Sequence, residues 1–142
     1  MVHNASKIRF FDHTGDIGME VFAPSLPEVF KTAAAGMFSI LTESRTIHPR
    51  LTKTISLKAE IADELLILWL NRLLFLFDTE GWLFSQFEIT LPNEKSLQAV
   101  VRGEHFDPER HEILREIKAA TYHRLTLEKR ENTWYARVIF DL

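Results

Sequence analysis

Alternating apolar and polar residues near the start of the chain predict two short strands. The pattern covers residues 7–12, "KIRFFD", and 17–23, "IGMEVFA". Between them lies the turn "HTGD", where Gly15 and the following Gly18 give the backbone a freedom that other residues lack. Two strands joined by a tight turn are therefore expected here.

The segment "SLPEVFKTAAAGMFSILT" changes to helical periodicity. Ser25 and Glu28 have the spacing of an N-terminal capping box, and Pro27 falls in the first turn, where its missing N–H does little harm. The apolar side chains then recur at intervals of three and four residues. They are Leu26, Val29, Phe30, Ala33, Met37 and Leu41.

The rest of the chain contains a second helical pattern among several strand patterns. A helix is predicted over 62–77, "ADELLILWLNRLLFLF", and it is apolar around most of its circumference, so it must be covered on nearly all sides. The polar segment "GEHFDPERHEI" contains Pro108 and predicts a loop. Strands are predicted over 51–60, around 82–91 and 96–104 with a hairpin loop at 91–95, and over roughly 115–128 and 133–140.

Two helices among about eight strands, without strict alternation, predict an α+β fold. We expect a single domain over residues 1–142, with the two main helices packed on a mixed or antiparallel sheet, because no repeat or linker divides the chain. The most apolar stretch, 65–77, is too short to span a bilayer and contains Asn71 and Arg72. No membrane association is expected.

Composition narrows the classes of function. The chain has no cysteine, which excludes disulfides and cysteine nucleophiles and fits a cytoplasmic location. Its formal net charge of −3 disfavours direct RNA or DNA binding, although a local basic patch stays open. The phosphate-binding patterns GxxxxGK and GxGxxG are missing, so a nucleotide cofactor bound by this chain alone is not expected.

Carboxylates lie near both ends of the chain. Asp12 and Asp16 flank the first turn, and Asp141 precedes Leu142, whose terminal carboxyl adds a further charge. Chain termini often lie close together in a domain, and gathered carboxylates repel unless a cation or proton intervenes. Oxygen ligands suit Mg²⁺, Ca²⁺ or Mn²⁺. The alternative is that Asp12 and Asp16 only accept turn hydrogen bonds and that Asp141 is a solvated acid.

The other ionisable candidates give weaker signals. His13 is open as a ligand, a general base or a turn residue. His105, His111 and His123 are scattered and do not have the spacing of a zinc site, and local hydrogen bonds are the simpler expectation for the last two. In "REIKAATYHRL", a strand would place Lys118 beside Glu116 on one face, either as an exposed ion pair or as a cation offered to a phosphate or carboxylate.

Four stretches together resemble the archease family, small accessory proteins of the GTP-dependent RNA ligase that seals tRNA exons and broken RNAs. They are "FDHTGDIGMEVFA", "ELLILWLNRLLFLFDTEGWLFSQFE", "GEHFDPERHEILREIKAATYH" and "WYARVIFDL". They cover most of the chain in the family's order. One departure is Gly15, where the family commonly has Ala, and neither residue has a side chain that can coordinate a metal.

The resemblance implies a role as an activator rather than a catalyst. Archeases speed guanylylation of the ligase's active-site histidine and support repeated turnover, and the RNA would be contacted only indirectly. The divalent-metal site would be carried by Asp12 and Asp141, with the Leu142 carboxylate as a further ligand. Asp16 would support the cation or fix the turn.

Two further residues gain a role from the resemblance. His13 would orient a neighbouring acid, and Lys118 corresponds to the lysine of the family's strand pattern, where it would contact the partner or its phosphates.

Two other functions stay open on the residues alone. A metal-dependent phosphoester hydrolase would use the same acids to hold a catalytic cation, but base candidates beyond His13 are lacking. A general chaperone or interaction module would leave Asp12 and Asp141 with purely structural roles.

Overall fold

The computed structural model describes residues 5–142, which form two long helices, one short 3₁₀ helix and seven strands. In chain order they are β1 (Lys7–His13), β2 (Asp16–Ala23), α1 (Leu26–Leu41), the 3₁₀ helix (Ser44–Thr46), β3 (Leu51–Lys58), α2 (Ala62–Glu80), β4 (Trp82–Asn93), β5 (Ser96–His105), β6 (Ala119–Arg130) and β7 (Thr133–Asp141).

The predicted α+β class is confirmed, with seven strands rather than about eight among the residues described. They form two antiparallel sheets instead of one. The four-stranded sheet has the order β1-β2-β7-β6, and the three-stranded sheet has the order β3-β5-β4.

Both helices lie between the two sheets. α1 packs against β2 of one sheet and β4 of the other, while α2 packs against β6 and the three-stranded sheet. The indole N–H of Trp69 joins the helices by donating to the carbonyl of Phe30 at 3.0 Å. This placement explains the nearly all-round apolar pattern of α2, since a helix between two layers is covered on most sides.

Local signals set the ends of the helices. The Ser25 hydroxyl accepts from the Glu28 N–H at 3.3 Å, as expected for an N-terminal cap. α2 extends three residues beyond the predicted end at 77, because Gly81 adopts the left-handed conformation at φ +74° that closes a helix. No helix among the described residues is long and apolar enough to cross a membrane.

The prediction of a strand from residue 115 is wrong. β6 begins at Ala119, and residues 106–118 run as irregular chain whose backbone groups find partners on the end of α1 instead. The Leu114 N–H donates to the Leu41 carbonyl at 2.8 Å, and the Thr42 hydroxyl donates to the Glu112 carbonyl at 2.7 Å. Glu116 and Lys118 therefore do not share a strand face.

β6 itself is interrupted by a bulge. Its pairing with β7 moves from Thr121↔Ile139 to Thr126↔Arg137, so residues 122–125 stand opposite only one residue of β7. Arg124 lies in the left-handed region at φ +52°, which marks the point where the chain bends. The bulge lies at the same end of the sheet as the first turn.

Candidate functional site

Strand register brings the first turn and the end of the chain to one edge of the four-stranded sheet. β1 and β2 pair as far as His13↔Asp16, and β2 pairs with β7 as far as Ile17↔Phe140. Asp16 and Asp141 are the next residues of those two strands. We call this end of the sheet, with Asp12, Asp16, Asp141 and Leu142, the acidic edge.

A two-residue turn closes the β1–β2 hairpin. Thr14 and Gly15 have φ angles of +40° and +84°, so both occupy the left-handed region. Paired left-handed residues suit the twist of a two-residue hairpin, and glycine adopts that region at little cost. Only the two central residues of "HTGD" form the turn. His13 and Asp16 belong to the strands and lie directly opposite each other.

The acids of this edge are divided between the two faces of the sheet. Side chains opposite each other in a ladder share a face, and successive side chains alternate. Asp12 therefore lies on the face of Ile17 and Phe140, while His13 and Asp16 lie on the other, which Asp141 shares. Two strand spacings separate β1 from β7, which puts the Cα atoms of Asp12 and Asp141 roughly 10 Å apart.

Two of the acids at this edge, Asp12 and Asp141, have no cationic partner among the described residues. Within residues 5–142, no hydrogen bond or ion pair reaches the side chain of Asp12 or Asp141. Asp16 approaches only the imidazole of His13, whose Nδ1 lies 3.9 Å from its Oδ2. Uncompensated oxygens of this kind are the donors that hard divalent cations prefer.

The donor set fits an open cation site rather than a closed one. No three histidine or acidic side chains among the described residues converge closely enough to enclose a metal. Mg²⁺ in particular is usually held by one or two carboxylates, with waters and substrate phosphates completing its shell. Because Asp12 and Asp141 lie on opposite faces of the sheet, roughly 10 Å apart between Cα atoms, a cation shared by both stays a prediction.

His13 has a contact that the sequence did not indicate. Its ring lies 5.3 Å from the ring of His123 at an interplanar angle of 60°, an edge-to-face arrangement. The Nδ1 atom of His13 is buried and has no hydrogen-bond partner. His123 belongs to the β6 bulge, so its position follows from an irregular register that no sequence pattern showed.

Lys118 reaches the acidic edge through its backbone. Its N–H donates to the carbonyl of Asp141 at 2.8 Å, just before β6 begins. The side chain is exposed and borders a cavity of about 320 Å³ together with Asp78 and Glu116. Desolvation and the nearby charge of Glu116 raise the pKa of Asp78. The ion pair expected between Lys118 and Glu116 is not formed.

Comparison with known proteins identifies the family of this chain. Residues 9–142 match the model of the Archease protein family (MTH1598/TM1083). The chain belongs to the archease family. It is 31% identical over 137 residues to an archease of Sulfurisphaera tokodaii, covering 96% of this chain and 99% of that protein. It is 33% identical over 146 residues to an archease of Methanosarcina acetivorans, covering both chains completely.

Two solved structures share the archease fold. Protein 1598 of Methanobacterium thermoautotrophicum has a TM-score of 0.80 and 32% identity, covering 95% of this chain and 98% of that one. An archease of Thermotoga maritima, described as a possible chaperone, has a TM-score of 0.63 and covers 93% of this chain and 94% of that one. Its identity of 22% shows the fold alone.

A second polar cluster in this archease lies away from the acidic edge and is structural. The buried His111 accepts the Asp107 N–H through Nδ1 at 2.9 Å, so Nε2 is left to donate to Glu104 at 3.0 Å. The local hydrogen bond expected for His111 is confirmed. Arg110 also bonds Glu104, and the His48 N–H donates to it at 2.8 Å.

These contacts change the acidity of Glu104. Burial raises the pKa of its carboxyl, but the hydrogen bonds from the His48 N–H, Arg110 and His111 outweigh that effect and lower the pKa to about 2. The cluster fastens the segment after α1 to the end of β5. Nothing in the sequence indicated that Glu104 is the centre of this cluster, because His48 lies 56 residues before it and the nearby members belong to a polar loop.

Proposed function

We propose that this protein is an accessory activator of a GTP-dependent RNA ligase, promoting guanylylation of the ligase histidine and repeated turnover, and is not itself the catalyst. Membership of the archease family supports the proposal at the level of the partner. The uncompensated carboxylates at the acidic edge support it at the level of the site, and they are the observation that carries it.

The residues of the acidic edge would have distinct tasks. Asp12 and Asp141 would hold a divalent cation (Ca²⁺, Mg²⁺ or Mn²⁺), and the Leu142 carboxylate and Asp16 would lie beside it. When bound, the cation would supply charge neutralisation for phosphate oxygens, on which nucleotidyl transfer chiefly depends. The acidic edge lies where the strands of the sheet end, and this end of the protein would enter a cleft of the partner.

Two neighbouring side chains would tune this contact. His13 would orient Asp16 from across the turn, a role supported by their opposite positions in the hairpin and the 3.9 Å between His13 Nδ1 and Asp16 Oδ2. Lys118 is exposed next to Asp141 and would bind a phosphate or a carboxylate of the partner. The RNA ends to be joined would be selected by the ligase.

The test is transfer of labelled GMP from GTP to the cognate ligase, with and without this protein. We expect Asp12→Asn and Asp141→Asn each to lower the stimulated rate at least tenfold. The matched control is Glu94→Gln, an exposed acid in the β4–β5 turn, which should leave stimulation unchanged. Full stimulation by both folded Asn variants would remove the acidic edge from the mechanism, and no stimulation by the wild type would remove the function.

The same proteins test the hydrolase alternative. Incubation with Mg²⁺ or Mn²⁺ and a panel of RNA and phosphoester substrates, without ligase, should give no turnover. Turnover that disappears in Asp12→Asn would assign the acids to hydrolysis instead.

A chaperone role is the second candidate, favoured by large apolar side chains left exposed. Ile61, Phe75 and Tyr122 are 57%, 58% and 59% exposed. The Thermotoga maritima relative is described as a possible chaperone. Suppression of the aggregation of an unrelated protein in the presence of EDTA, lost in Phe75→Ser, would favour this role over the metal-dependent one.

A further inference from the structure

The four-stranded sheet has one face that no helix covers. Both helices lie against the side that carries Met19, Val21 and Val138, which are fully buried. The opposite side, here called the outer face, combines basic and aromatic residues. Register and alternation place on it Lys7, Arg9, Phe11, Glu20, Phe22, Glu128, Arg130, Tyr135 and Arg137.

Two arginines on the outer face stack on aromatic rings. The guanidinium of Arg130 lies 3.7 Å from the centre of the Tyr135 ring, and that of Arg137 lies 5.0 Å from the centre of the Phe11 ring. A stacked guanidinium is held in a fixed plane while its N–H edge stays available, and that edge matches the geometry of a phosphate. The aromatic side chains thus position these arginines in advance.

Acids on the same face only partly neutralise it. Glu20 accepts from Arg9 at 2.8 Å, and Glu128 accepts from Arg130 at 2.8 Å. Arg137 forms no ion pair within the described residues, and its buried Nε–H has no acceptor. Away from the acidic edge, four cationic side chains on this face stand beside two acids, which leaves a local excess of two positive charges. Asp16 and Asp141 lie on the same face at the acidic edge.

Charge is segregated along the strands. On β7, Asp141 at the acidic edge and Arg137 on the outer face are four residues apart, a separation of roughly 13 Å along a strand. The formal net charge of −3 for the whole chain hides this division. A polyanion is repelled by the acidic edge but attracted to the basic part of the outer face, which begins roughly 13 Å away along β7.

We propose that the outer face binds the phosphate backbone of single-stranded RNA, with Arg9 and Arg137 as the principal contacts. Basic side chains along a groove or sheet surface hold the backbone of single strands by charge. Here the rings orient the arginines rather than stack on bases, since Tyr135 is only 5% exposed. The inference rests on the proposed function in one respect: the bound RNA would be the strand that is presented to the ligase.

The test measures binding of a fluorescein-labelled single-stranded 12-nucleotide RNA by anisotropy, with the protein alone, over a series of KCl concentrations. We expect saturable binding at 50 mM KCl that weakens as salt rises. Arg9→Gln/Arg137→Gln should weaken it about tenfold and reduce the slope of log K against log salt by about 1.4, or about 0.7 for each lost phosphate contact.

A charge-matched double variant provides the control. Arg45→Gln/Lys58→Gln removes two exposed cations away from the outer face and should leave the affinity within twofold. Arg137→Lys keeps the charge but loses the planar stacked group. Its affinity for the RNA should lie between that of the wild type and that of the double Gln variant. Thermal unfolding establishes that each variant is folded.

Several outcomes would overturn the inference. These are no saturable binding by the wild type at 50 mM KCl, an equal loss in the control variant, or displacement of the RNA by poly-glutamate as readily as by unlabelled RNA, which would assign the face to an acidic protein. GMP transfer to the ligase without RNA should be unchanged in Arg9→Gln/Arg137→Gln. The RNA-binding inference and the proposed ligase activation can therefore be refuted independently of each other.

Discussion

The imidazole rings of His13 and His123 are 5.3 Å apart, although β1 and β6, which carry them, are the two outermost strands of one four-stranded sheet. The contact is possible because the β6 bulge brings residues 122–125 out of the ladder. This contact joins the turn after β1 to β6, the strand at the opposite edge of the sheet.

The first prediction is that His123→Ala destabilises the protein by about 1 kcal/mol, the usual contribution of an aromatic pair. Urea unfolding followed by circular dichroism gives the free energy of unfolding. Tyr122→Ala is the control, because Tyr122 is on the same bulge and 59% exposed, and we expect a change within about 0.5 kcal/mol. Equal effects of both substitutions would show that the bulge, not the ring contact, is what matters.

A second prediction concerns the packing of Phe11 over Gly18. A Cβ atom added at Gly18 would lie 2.1 Å from the nearest ring atom of Phe11, so the ring would have to move. Gly18→Ala should cost about 1–3 kcal/mol, as overpacking does.

The double variant Gly18→Ala/Phe11→Ala isolates that contact in the same unfolding experiment. Its destabilisation should be smaller than the sum of the two single effects, because the clash disappears with the ring. Strict additivity would mean that the ring does not cause the loss.

The third prediction is acid destabilisation through Glu104. The pKa of this carboxyl is lowered from 4.5 to about 2 in the folded protein, so its contribution is present above the unfolded value and is lost as the pH falls from about 4.5 towards 2. The amount is on the order of 2 kcal/mol, allowing for the part of the shift that solvent screens.

Glu104→Gln checks this assignment. It removes the titrating group, so the free energy of unfolding should fall less steeply between pH 5 and 3 than in the wild type. Glu88→Gln is a suitable control, because Glu88 also pairs with an arginine but its side chain is 65% exposed. An unchanged pH profile in Glu104→Gln would contradict the prediction.

The fourth prediction is that the acids of the edge oppose folding when no cation is bound. In EDTA, Asp141→Asn should raise the free energy of unfolding by a few tenths of a kcal/mol, because it relieves repulsion among like charges. Addition of Mn²⁺ or Ca²⁺ should stabilise the wild type by mass action and the variant much less. Melting temperatures measured against cation concentration give both effects, and equal cation responses would place binding elsewhere.

Local chemistry was sufficient to predict most elements from the sequence. The hairpin of β1 and β2, the Ser25 cap of α1, the covered helix α2 and the α+β class follow from periodicity and turn residues, which act over a few neighbouring positions. The acids near the two ends of the chain were named from their positions and from the family resemblance, and their role as ligands stays a prediction.

Only the tertiary structure decided how distant segments meet. The division into two sheets, the start of β6 at Ala119, the pairing of His13 with His123 and the bond between His48 and Glu104 depend on contacts between residues far apart in the chain. Residues 115–118 alternate in polarity like a strand. The preceding residues nevertheless form their backbone hydrogen bonds with the end of α1 and not with a sheet. Such choices depend on competition for hydrogen-bond partners and buried area, which is settled only when all the segments are packed.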